Sequence, residues 1–265
     1  MPRPVVALLT DFGSHDHYAG TMKAVVLGIC PDVTLVDITH DIPPHDVLAA
    51  ALELAASYRY FPQGTIFLVV VDPGVGSVRR GIVVDTGDHR FVAPDNGVLT
   101  AVLRESPARR AFEMTERRYA RPTVSRTFEG RDRFAPAAAW LAKGVDLSTF
   151  GRSAGAVHQL NIPVPTATSD LLAGEVLRVD RFGNLVTNID RKLFDQFVHS
   201  SGIEIAAATN LIGRVVGTYA DAATDEVCAL FGSTDHLEIA VNAGSARDRL
   251  HLTRGAPVTI RRKGN

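Results

Sequence analysis

The sequence predicts an α/β N-terminal domain with a mainly parallel sheet, followed by a smaller all-β, barrel-like C-terminal domain. In the first part of the chain, apolar runs of strand length alternate with segments of helical periodicity, as in α/β layer folds. Beyond a proline-containing stretch at residues 161–166, short strand-like pieces follow one another between turn residues, which is typical of a small barrel or sandwich. We place the boundary within residues 163–172, which gives domains 1–165 and 172–265.

The first elements alternate between strand and helix. Residues 4–10 are a continuous apolar run, as expected of a strand that is buried on both faces of a sheet. Apolar side chains recur at helical spacing over residues 18–29, and a proline ends that pattern. Residues 33–38 are predicted to be a second strand. Asp46 is a candidate N-cap for a helix whose apolar positions run over residues 47–58.

Residues 65–71 are the strongest strand candidate in the sequence, because an uninterrupted apolar and β-branched run is bounded by Gly64 and Pro73. The remaining elements of the first domain are strands near 81–85 and 90–93 and helices near 97–104 and 133–143. In the second domain, we predict strands at 175–179, 183–189, 214–219, 237–241 and 258–261.

Composition and charge exclude several classes of protein. The 265 residues carry 28 basic and 29 acidic side chains, and this near-neutral balance disfavours nucleic-acid or membrane partners held by charge. Two cysteines rule out a disulfide-stapled scaffold. The first residues lack the apolar core of a signal peptide, and no run is long enough to span a bilayer. We therefore expect a cytoplasmic protein with a small-molecule substrate.

Acidic or polar turns follow nearly every predicted strand of the first domain. Asp11 follows the first strand, Asp41 the second, Asp72 the third, and Asp95 a later one. In open α/β sheets, ligands bind outside the carboxyl ends of the strands, so we expect several of these carboxylates to converge on one edge. The alternative for each residue is a turn cap that bonds only the local backbone.

The turn at residues 72–80 is the sharpest of these elements. Gly74 and Gly76 allow a close backbone approach to a ligand, and successive N–H groups of such a turn can bind an anion. Asp72 at its entrance and Arg79 at its exit could hold a small nucleophile between opposite charges. The alternative is a glycine-rich turn with a surface arginine pair. No Gly-Lys-Ser/Thr follows, so the turn is not a phosphate-binding loop.

Histidine and aspartate clusters at 15–17 and 40–46 raise the alternative of a metal site. Neither a His-Glu-x-x-His helix nor a cysteine pair supports it, so we predict no metal and no cofactor. In the second domain, the turns at 180–188 and 240–246 carry polar groups able to contact a base or a ribose. Each of these turns could equally be a simple hairpin.

Taken together, the motifs resemble those of the S-adenosyl-L-methionine (SAM) hydroxide adenosyltransferases, the hydrolytic branch of the family that includes the SAM-dependent fluorinase and chlorinase. The motifs occur in family order at residues 10–13, 44–47, 71–76, 93–97, 128–132, 180–184 and 239–242. The resemblance implies an α/β domain followed by a β-barrel domain. It also implies a homotrimer whose active sites lie between one subunit's N-terminal domain and its neighbour's C-terminal domain.

The resemblance further implies a reaction in which water-derived hydroxide attacks C5′ of the SAM ribose and gives adenosine and L-methionine without a metal. Asp72 and Arg79 match the Asp and Arg of the hydrolytic relay. The resemblance implies substrate-binding roles for the other residues that match family site positions. Asp11 matches the carboxylate that binds the ribose hydroxyls. Asp16 and Ser233 match contacts to the methionine moiety, and Asp180 lies near the methionine end of the substrate. Asn184 and the backbone around Asn242 and Ala243 match groups that read adenine, and Val75 lies in the turn that lines the nucleophile pocket.

Glu129 departs from the family pattern, because it stands where the relay has a histidine. Beside Asp72 it adds like charge, which would raise one carboxyl pKa. It could accept the proton of water, require a different partner such as Arg79 or Arg131, or indicate reduced activity. Glu129 and Asp72 both disfavour halide as the nucleophile. Two alternatives to hydrolysis stay open, a halide-using adenosyltransferase and a catalytically weak SAM- or adenosine-binding module.

Overall fold

The computed structural model describes residues 3–198 and 202–263. The chain divides into two compact units between Ile162 and Pro163. None of the helices in the described ranges combines the length and apolar character that a membrane span needs.

The N-terminal unit is a layered α/β structure built on a mixed sheet. Its elements in chain order are β1 (Val5–Thr10), α1 (Tyr18–Ile29), β2 (Thr34–Thr39), α2 (Val47–Ser57), β3 (Ile66–Val70), β4 (Gly81–Asp85), β5 (Arg90–Pro94), α3 (Thr100–Glu105), β6 (Arg110–Glu113), a π-helical turn (Gly130–Phe134) and α4 (Ala135–Ala142). Among the described residues, the strand order is β2-β1-β3-β5-β4-β6. The first four strands in that order are parallel, and β4 runs antiparallel to both of its neighbours.

Two apolar cores, one on each face of this sheet, explain the uninterrupted apolar run of β1. Val6 and Leu8 belong to the core that contains side chains of α1 and α4, and Ala7 and Leu9 belong to the core that contains side chains of α2 and α3. Because successive side chains of a strand point to opposite faces, a strand covered on both sides must be apolar throughout. Asp46 caps α2 as predicted, since its Oδ1 accepts from the Ala49 N–H at 3.0 Å.

The C-terminal unit is an antiparallel, nearly closed barrel-like sheet, and its described residues include two short α-helices. Its elements are β7 (Thr166–Ala167), β8 (Leu171–Val179), β9 (Leu185–Asp190), α5 (Arg191–Val198), β10 (Ile203–Ala207), β11 (Asn210–Ile212), β12 (Val227–Phe231), β13 (His236–Val241), α6 (Ala246–Leu250) and β14 (Pro257–Arg262). Within the described residues, the strand order is β11-β10-β14-β8-β9-β13-β12, and β7 pairs with β8. The predicted combination of an α/β and a barrel-like domain is confirmed.

Several predicted elements differ from the structure; among them, the helix predicted near 97–104 begins at Thr100, and the strand predicted at 183–189 begins at Leu185. The strand predicted at 214–219 is wrong, because Val215 makes only an isolated bridge to Ala229 and the following residues turn away at Gly217. The helix predicted at 133–143 begins at Ala135, since a π-helical turn precedes it.

Candidate active site

A cavity of about 280 Å³ opens at the carboxyl ends of β1 and β3 in the N-terminal unit. Three carboxylates line it: Asp11 directly after β1, Asp72 after β3, and Glu129 directly before the π-helical turn. Asp95, which follows β5, does not line this cavity and pairs instead with Arg80. Of the carboxylates predicted at the strand ends, Asp11 and Asp72 share this cavity, and the third carboxylate of the cavity comes from a helix terminus and not from a strand end.

Arg79 joins two of these carboxylates in one buried ion-pair network. Its Nε donates to Asp72 Oδ1 at 3.0 Å, and its Nη2 donates to Asp72 Oδ2 at 2.5 Å and to Glu129 Oε2 at 2.7 Å. The exposed fraction of the side chain is 8% for Arg79, 5% for Asp72 and 11% for Glu129. A guanidinium that bonds one carboxylate through two nitrogens fixes both groups in orientation as well as in distance.

The environment of Asp72 makes its carboxylate a better proton acceptor than an ordinary aspartate. Burial raises the pKa of Asp72, and the nearby charge of Glu129 raises it further, while Arg79 opposes both effects. The net direction is upward. An acid whose pKa lies closer to the working pH is a more effective general base.

Glu129 has a second arginine partner. Arg133 lies four residues later and donates from Nη1 to Glu129 Oε1 at 3.1 Å, and its Nη2 donates to the backbone carbonyl of Met114 at 2.6 Å. Arg131, a partner considered from the sequence, instead bonds Asp132 through Nε and Nη2, each at 2.7 Å. The partners of Glu129 are therefore Arg79 and Arg133. An i,i+4 spacing of opposite charges was the sequence signal for Arg133, which the motifs alone did not reveal.

The turn between Asp72 and Arg79 is held by its own backbone. The Val75 N–H donates to the Asp72 carbonyl at 3.2 Å, and the Ser77 N–H donates to the Gly74 carbonyl at 3.1 Å. Gly76 has φ +75°, and a Cβ at that position would lie 2.4 Å from the Arg126 carbonyl oxygen. Glycine is therefore required at this position, both for its backbone conformation and for the close approach of the backbone at Arg126.

Of the other residues predicted for the N-terminal part of the site, some line the cavity and one does not. Val75 lines the cavity, and so does Asp11, whose Oδ2 accepts from the His45 N–H at 2.9 Å. Asp16 is exposed and lies outside the cavity lining. The structure therefore brings Asp11, Asp72, Val75 and Glu129 together, and it does not bring Asp16 to them.

Aromatic rings form another wall of the cavity. The ring centroid of Tyr18 lies 5.1 Å from that of Phe128 and 5.6 Å from that of Phe12, and the centroids of Phe12 and Phe128 are 5.9 Å apart. All three side chains line the cavity. Aromatic faces beside carboxylates favour a cationic ligand, through the ring quadrupole and through charge. Phe12, Tyr18 and Phe128 cannot be identified as site residues from the sequence alone, because isolated aromatic residues there look the same as core residues.

His40 holds the end of β1 in place. Its Nδ1 lies 2.8 Å from the Thr10 hydroxyl, which accepts from the Phe12 N–H at 3.3 Å, and its Nε2 lies 3.1 Å from Asp37 Oδ1. This histidine therefore orients the turn that carries Asp11. In the described ranges, no group of three or more His, Cys, Asp or Glu side chains is arranged to hold a metal ion.

A second cavity, of about 830 Å³, lies in the C-terminal unit. Four of the five residues predicted for this part of the site line it: Asp180, Asn184, Ser233 and Ala243. Asn242 does not, because its side chain donates to the Ala222 carbonyl at 2.8 Å and so braces a neighbouring turn.

Asp180 and Asn184 also shape the turn that carries them. Asp180 Oδ1 accepts from the N–H groups of Phe182 at 2.8 Å and Asn184 at 2.9 Å, and its Oδ2 accepts from the Asn184 side chain at 2.9 Å. These are the bonds of an Asx-type turn. The Asn184 side-chain nitrogen is thus engaged within the turn, and no hydrogen bond to its side-chain carbonyl oxygen is formed among the described residues.

Most of each unit matches a domain of a known protein family. Residues 6–151 match the SAM hydroxide adenosyltransferase N-terminal domain, and residues 174–259 match the SAM hydroxide adenosyltransferase C-terminal domain. A Thermus thermophilus protein named (R)-S-adenosyl-L-methionine hydrolase is 38% identical over 266 residues, covering 97% of this chain and 99% of its own. A Methanocaldococcus jannaschii protein of the same name is 31% identical, covering 94% of this chain and 92% of its own.

Two further relatives extend the comparison. A protein named fluorinase from an Actinoplanes species is 28% identical, with 97% of each chain covered. The crystal structure of an uncharacterized conserved protein from Thermotoga maritima matches with a TM-score of 0.91 and 37% identity, covering 97% of this chain and 100% of that one. With both domains matched and relatives of this identity over nearly the whole length, the chain belongs to the SAM hydroxide adenosyltransferase family.

Proposed function

We propose that this protein hydrolyses S-adenosyl-L-methionine to adenosine and L-methionine without a metal. The observation that carries the proposal is the Asp72–Arg79–Glu129 network on a cavity that also presents three aromatic rings. This cavity offers a proton acceptor, a cation beside it, and a wall suited to a sulfonium. The family and the names of the relatives support the same substrate.

The chemistry of a sulfonium explains why so few groups are needed. The oxygen of water forms a bond to C5′ of the ribose while the C5′–S bond breaks, and the bonding electron pair leaves with sulfur as a neutral thioether. Neither an acid nor a metal has to stabilise that leaving group. The protein has to hold one water molecule in line with the C–S bond and to take its proton.

Asp72 is the proposed general base, because it lines the cavity and its pKa is raised. Arg79 orients the Asp72 carboxylate and offsets the negative charge that develops on the attacking oxygen. Glu129 acts as a positioning residue that holds Arg79 from its second side. One proton is released to solvent after each turnover, so that SAM and water give adenosine, methionine and a proton.

The remaining predicted residues are proposed to bind the substrate. Asp11 would chelate the ribose hydroxyls and Val75 would line the nucleophile pocket, while Asp180 and Ser233 would contact the methionine end. Asn184 and the backbone at Asn242 and Ala243 would read adenine. Asp16 would contact the methionine amino group from outside the lining of the N-terminal cavity.

The names of the relatives specify the R configuration at sulfur. We therefore propose the R epimer as the preferred substrate. Separate incubations with the two sulfonium epimers test this preference, and equal rates would contradict it.

Product analysis tests the proposed reaction directly. Purified protein is incubated with SAM, with and without EDTA and with and without chloride, and the products are separated by chromatography. We expect adenosine and methionine in equal amounts under all four conditions. Loss of turnover in EDTA would overturn the metal-free mechanism, and a chlorinated nucleoside would favour halide transfer. Binding without turnover would favour a binding module.

We further propose a homotrimer in which substrate sites form where subunits meet, as the family resemblance implies, and a cytoplasmic location. Sedimentation equilibrium measures the oligomeric state, and a monomer that is active at all dilutions would contradict the first part. Cell fractionation tests the second part.

A further inference from the structure

Glu238 is a buried carboxyl group on the wall of the C-terminal cavity, and neither the family motifs nor the proposed mechanism uses it. It lies in β13 between Leu230 of β12 and Val186 of β9, and only 5% of the residue is exposed. Acidic side chains are rarely buried to this degree without a function or several partners.

The hydrogen bonds of Glu238 satisfy only one of its two oxygens. The Tyr219 hydroxyl donates to Oε2 at 2.8 Å. Within the described ranges, no group donates a hydrogen bond to Oε1. By contrast, Asp180 on the same cavity wall uses both of its oxygens in its own turn. Glu238 is therefore the acidic side chain of this wall that keeps an acceptor oxygen for a ligand.

The surroundings of Glu238 leave room for its carboxyl group. A Cβ on Gly232 would lie 1.8 Å from Oε1, so this glycine provides the space that the carboxyl occupies. Burial raises the pKa of Glu238 and the charge of Asp180 raises it further, while the Tyr219 hydroxyl and the charges of Arg178 and His236 oppose this shift; the net direction is upward. The pKa of the Tyr219 phenol is also raised, mainly by burial, so its hydroxyl stays a donor toward Oε2.

The same cavity carries aromatic surface suited to a flat ligand. Phe182, which is 75% exposed, lines it together with Tyr219 and Phe231. An exposed aromatic ring beside a buried acceptor is the arrangement expected for a ring that stacks and donates one hydrogen bond.

We propose that Glu238 is a specificity-determining residue of the C-terminal cavity, whose free Oε1 accepts a hydrogen bond from an amino group of the substrate. This inference rests on the proposed function. In SAM, the amino group is either the exocyclic amine of adenine or the α-ammonium of the methionine moiety. Both are N–H donors that a buried carboxyl oxygen recognises, and an analogue without the amine leaves that oxygen unpaired.

Binding measurements on the full-length protein separate these two sources. Isothermal titration calorimetry gives the Kd of adenosine, of inosine, in which an oxygen replaces the amine, and of L-methionine. We expect wild-type protein to bind adenosine at least about tenfold more tightly than inosine if the adenine amine is the donor, because a buried acceptor without a partner is costly. Glu238→Leu should then reduce the ratio of the two constants to near one.

If the methionine ammonium is the donor, Glu238→Leu should weaken L-methionine binding by about tenfold or more and leave the adenosine-to-inosine ratio unchanged. Glu238→Met has a side chain of similar length without an oxygen to accept the hydrogen bond, and it replaces the leucine variant where that variant does not fold. Tyr219→Phe retains the carboxyl and should preserve discrimination. Glu226→Gln is the matched control, because Glu226 is a carboxylate that pairs with Arg214 outside the cavity.

Folded Glu238 variants that bind all three compounds as the wild type does would overturn the inference while leaving the proposed hydrolysis intact. Wild-type protein that binds neither adenosine nor methionine would instead contradict the proposed function. The two failures are therefore distinguishable in one set of titrations.

Discussion

Replacing Asp72 by asparagine removes the proposed proton acceptor and changes little else in the cavity. Asparagine has nearly the same shape and keeps one oxygen to accept from Arg79, while Glu129 still bonds the Arg79 Nη2. Loss of a general base lowers the turnover number by about 10²- to 10⁴-fold. At about 1.4 kcal/mol for each factor of ten, this loss corresponds to roughly 3–5.5 kcal/mol of transition-state stabilisation.

Substrate binding should respond much less to Asp72→Asn, because in the proposed mechanism this side chain contacts the attacking water and not the substrate. We expect KM to change by less than about threefold, since the interaction that is lost forms in the transition state. Thermal unfolding should show a loss of about 1–2 kcal/mol, because Arg79 exchanges a charged acceptor for a neutral one. The assay follows adenosine release by chromatography at saturating SAM, with a parallel thermal melt.

Asp95→Asn is the matched control for this experiment. Asp95 is also a buried aspartate paired with an arginine, since it is 3% exposed and its Oδ2 accepts from Arg80 Nε at 2.8 Å, but it does not line the N-terminal cavity. A general effect of breaking a buried Asp–Arg pair would lower turnover in both variants. A folded Asp72→Asn variant that keeps more than about a tenth of the wild-type turnover number would refute the role of Asp72 as general base, and so would an equal loss in Asp95→Asn.

Two further predictions follow from the same network. Glu129→Gln should move the acid limb of the kcat/KM pH profile to lower pH. Activity requires ionised Asp72, and the charge of Glu129 is one cause of the raised pKa of Asp72. An unchanged acid limb would show that the charge of Glu129 does not affect the pKa of the group that limits activity. Gly76→Ala should cost about 2–3 kcal/mol of stability, measured by denaturant unfolding, because φ is +75° and the new methyl would meet the Arg126 carbonyl. Unaltered stability would contradict the close approach.

The elements that the sequence predicts well are those whose local pattern agrees with their place in the fold. All five residues of Ile66–Val70 are buried in the middle of the sheet, and an uninterrupted apolar run is what such a strand requires. The Asp46 cap is equally local. The incorrect strand at 214–219 shows the opposite case, because its apolar residues are interrupted by Gly217 and its Arg214 is engaged by Glu226.

The site shows the same division between local and distant information. The pairing of Asp72 with Arg79 depends only on a turn of eight residues, so the sequence motif of that turn is enough to predict the pair. The cavity as a whole depends on the order of the strands, which places Asp11 beside Asp72 across sixty residues of intervening chain. Glu238 is not identified as a cavity residue from the sequence, because an acidic residue inside an apolar strand is expected to face solvent unless the partner strands are known.

The two arginines around Glu129 bear on whether this residue marks a loss of activity. A second carboxylate beside Asp72 would be costly if one guanidinium had to neutralise both. The network instead holds two carboxylates, Asp72 and Glu129, and two guanidinium groups, Arg79 and Arg133, so its formal charges balance. A histidine at position 129 would leave Arg133 Nη1 without its carboxylate. Because Glu129 and Arg133 form a matched pair, Glu129 fits a relay that still orients Arg79, and its presence is not evidence for a pocket that has lost its chemistry.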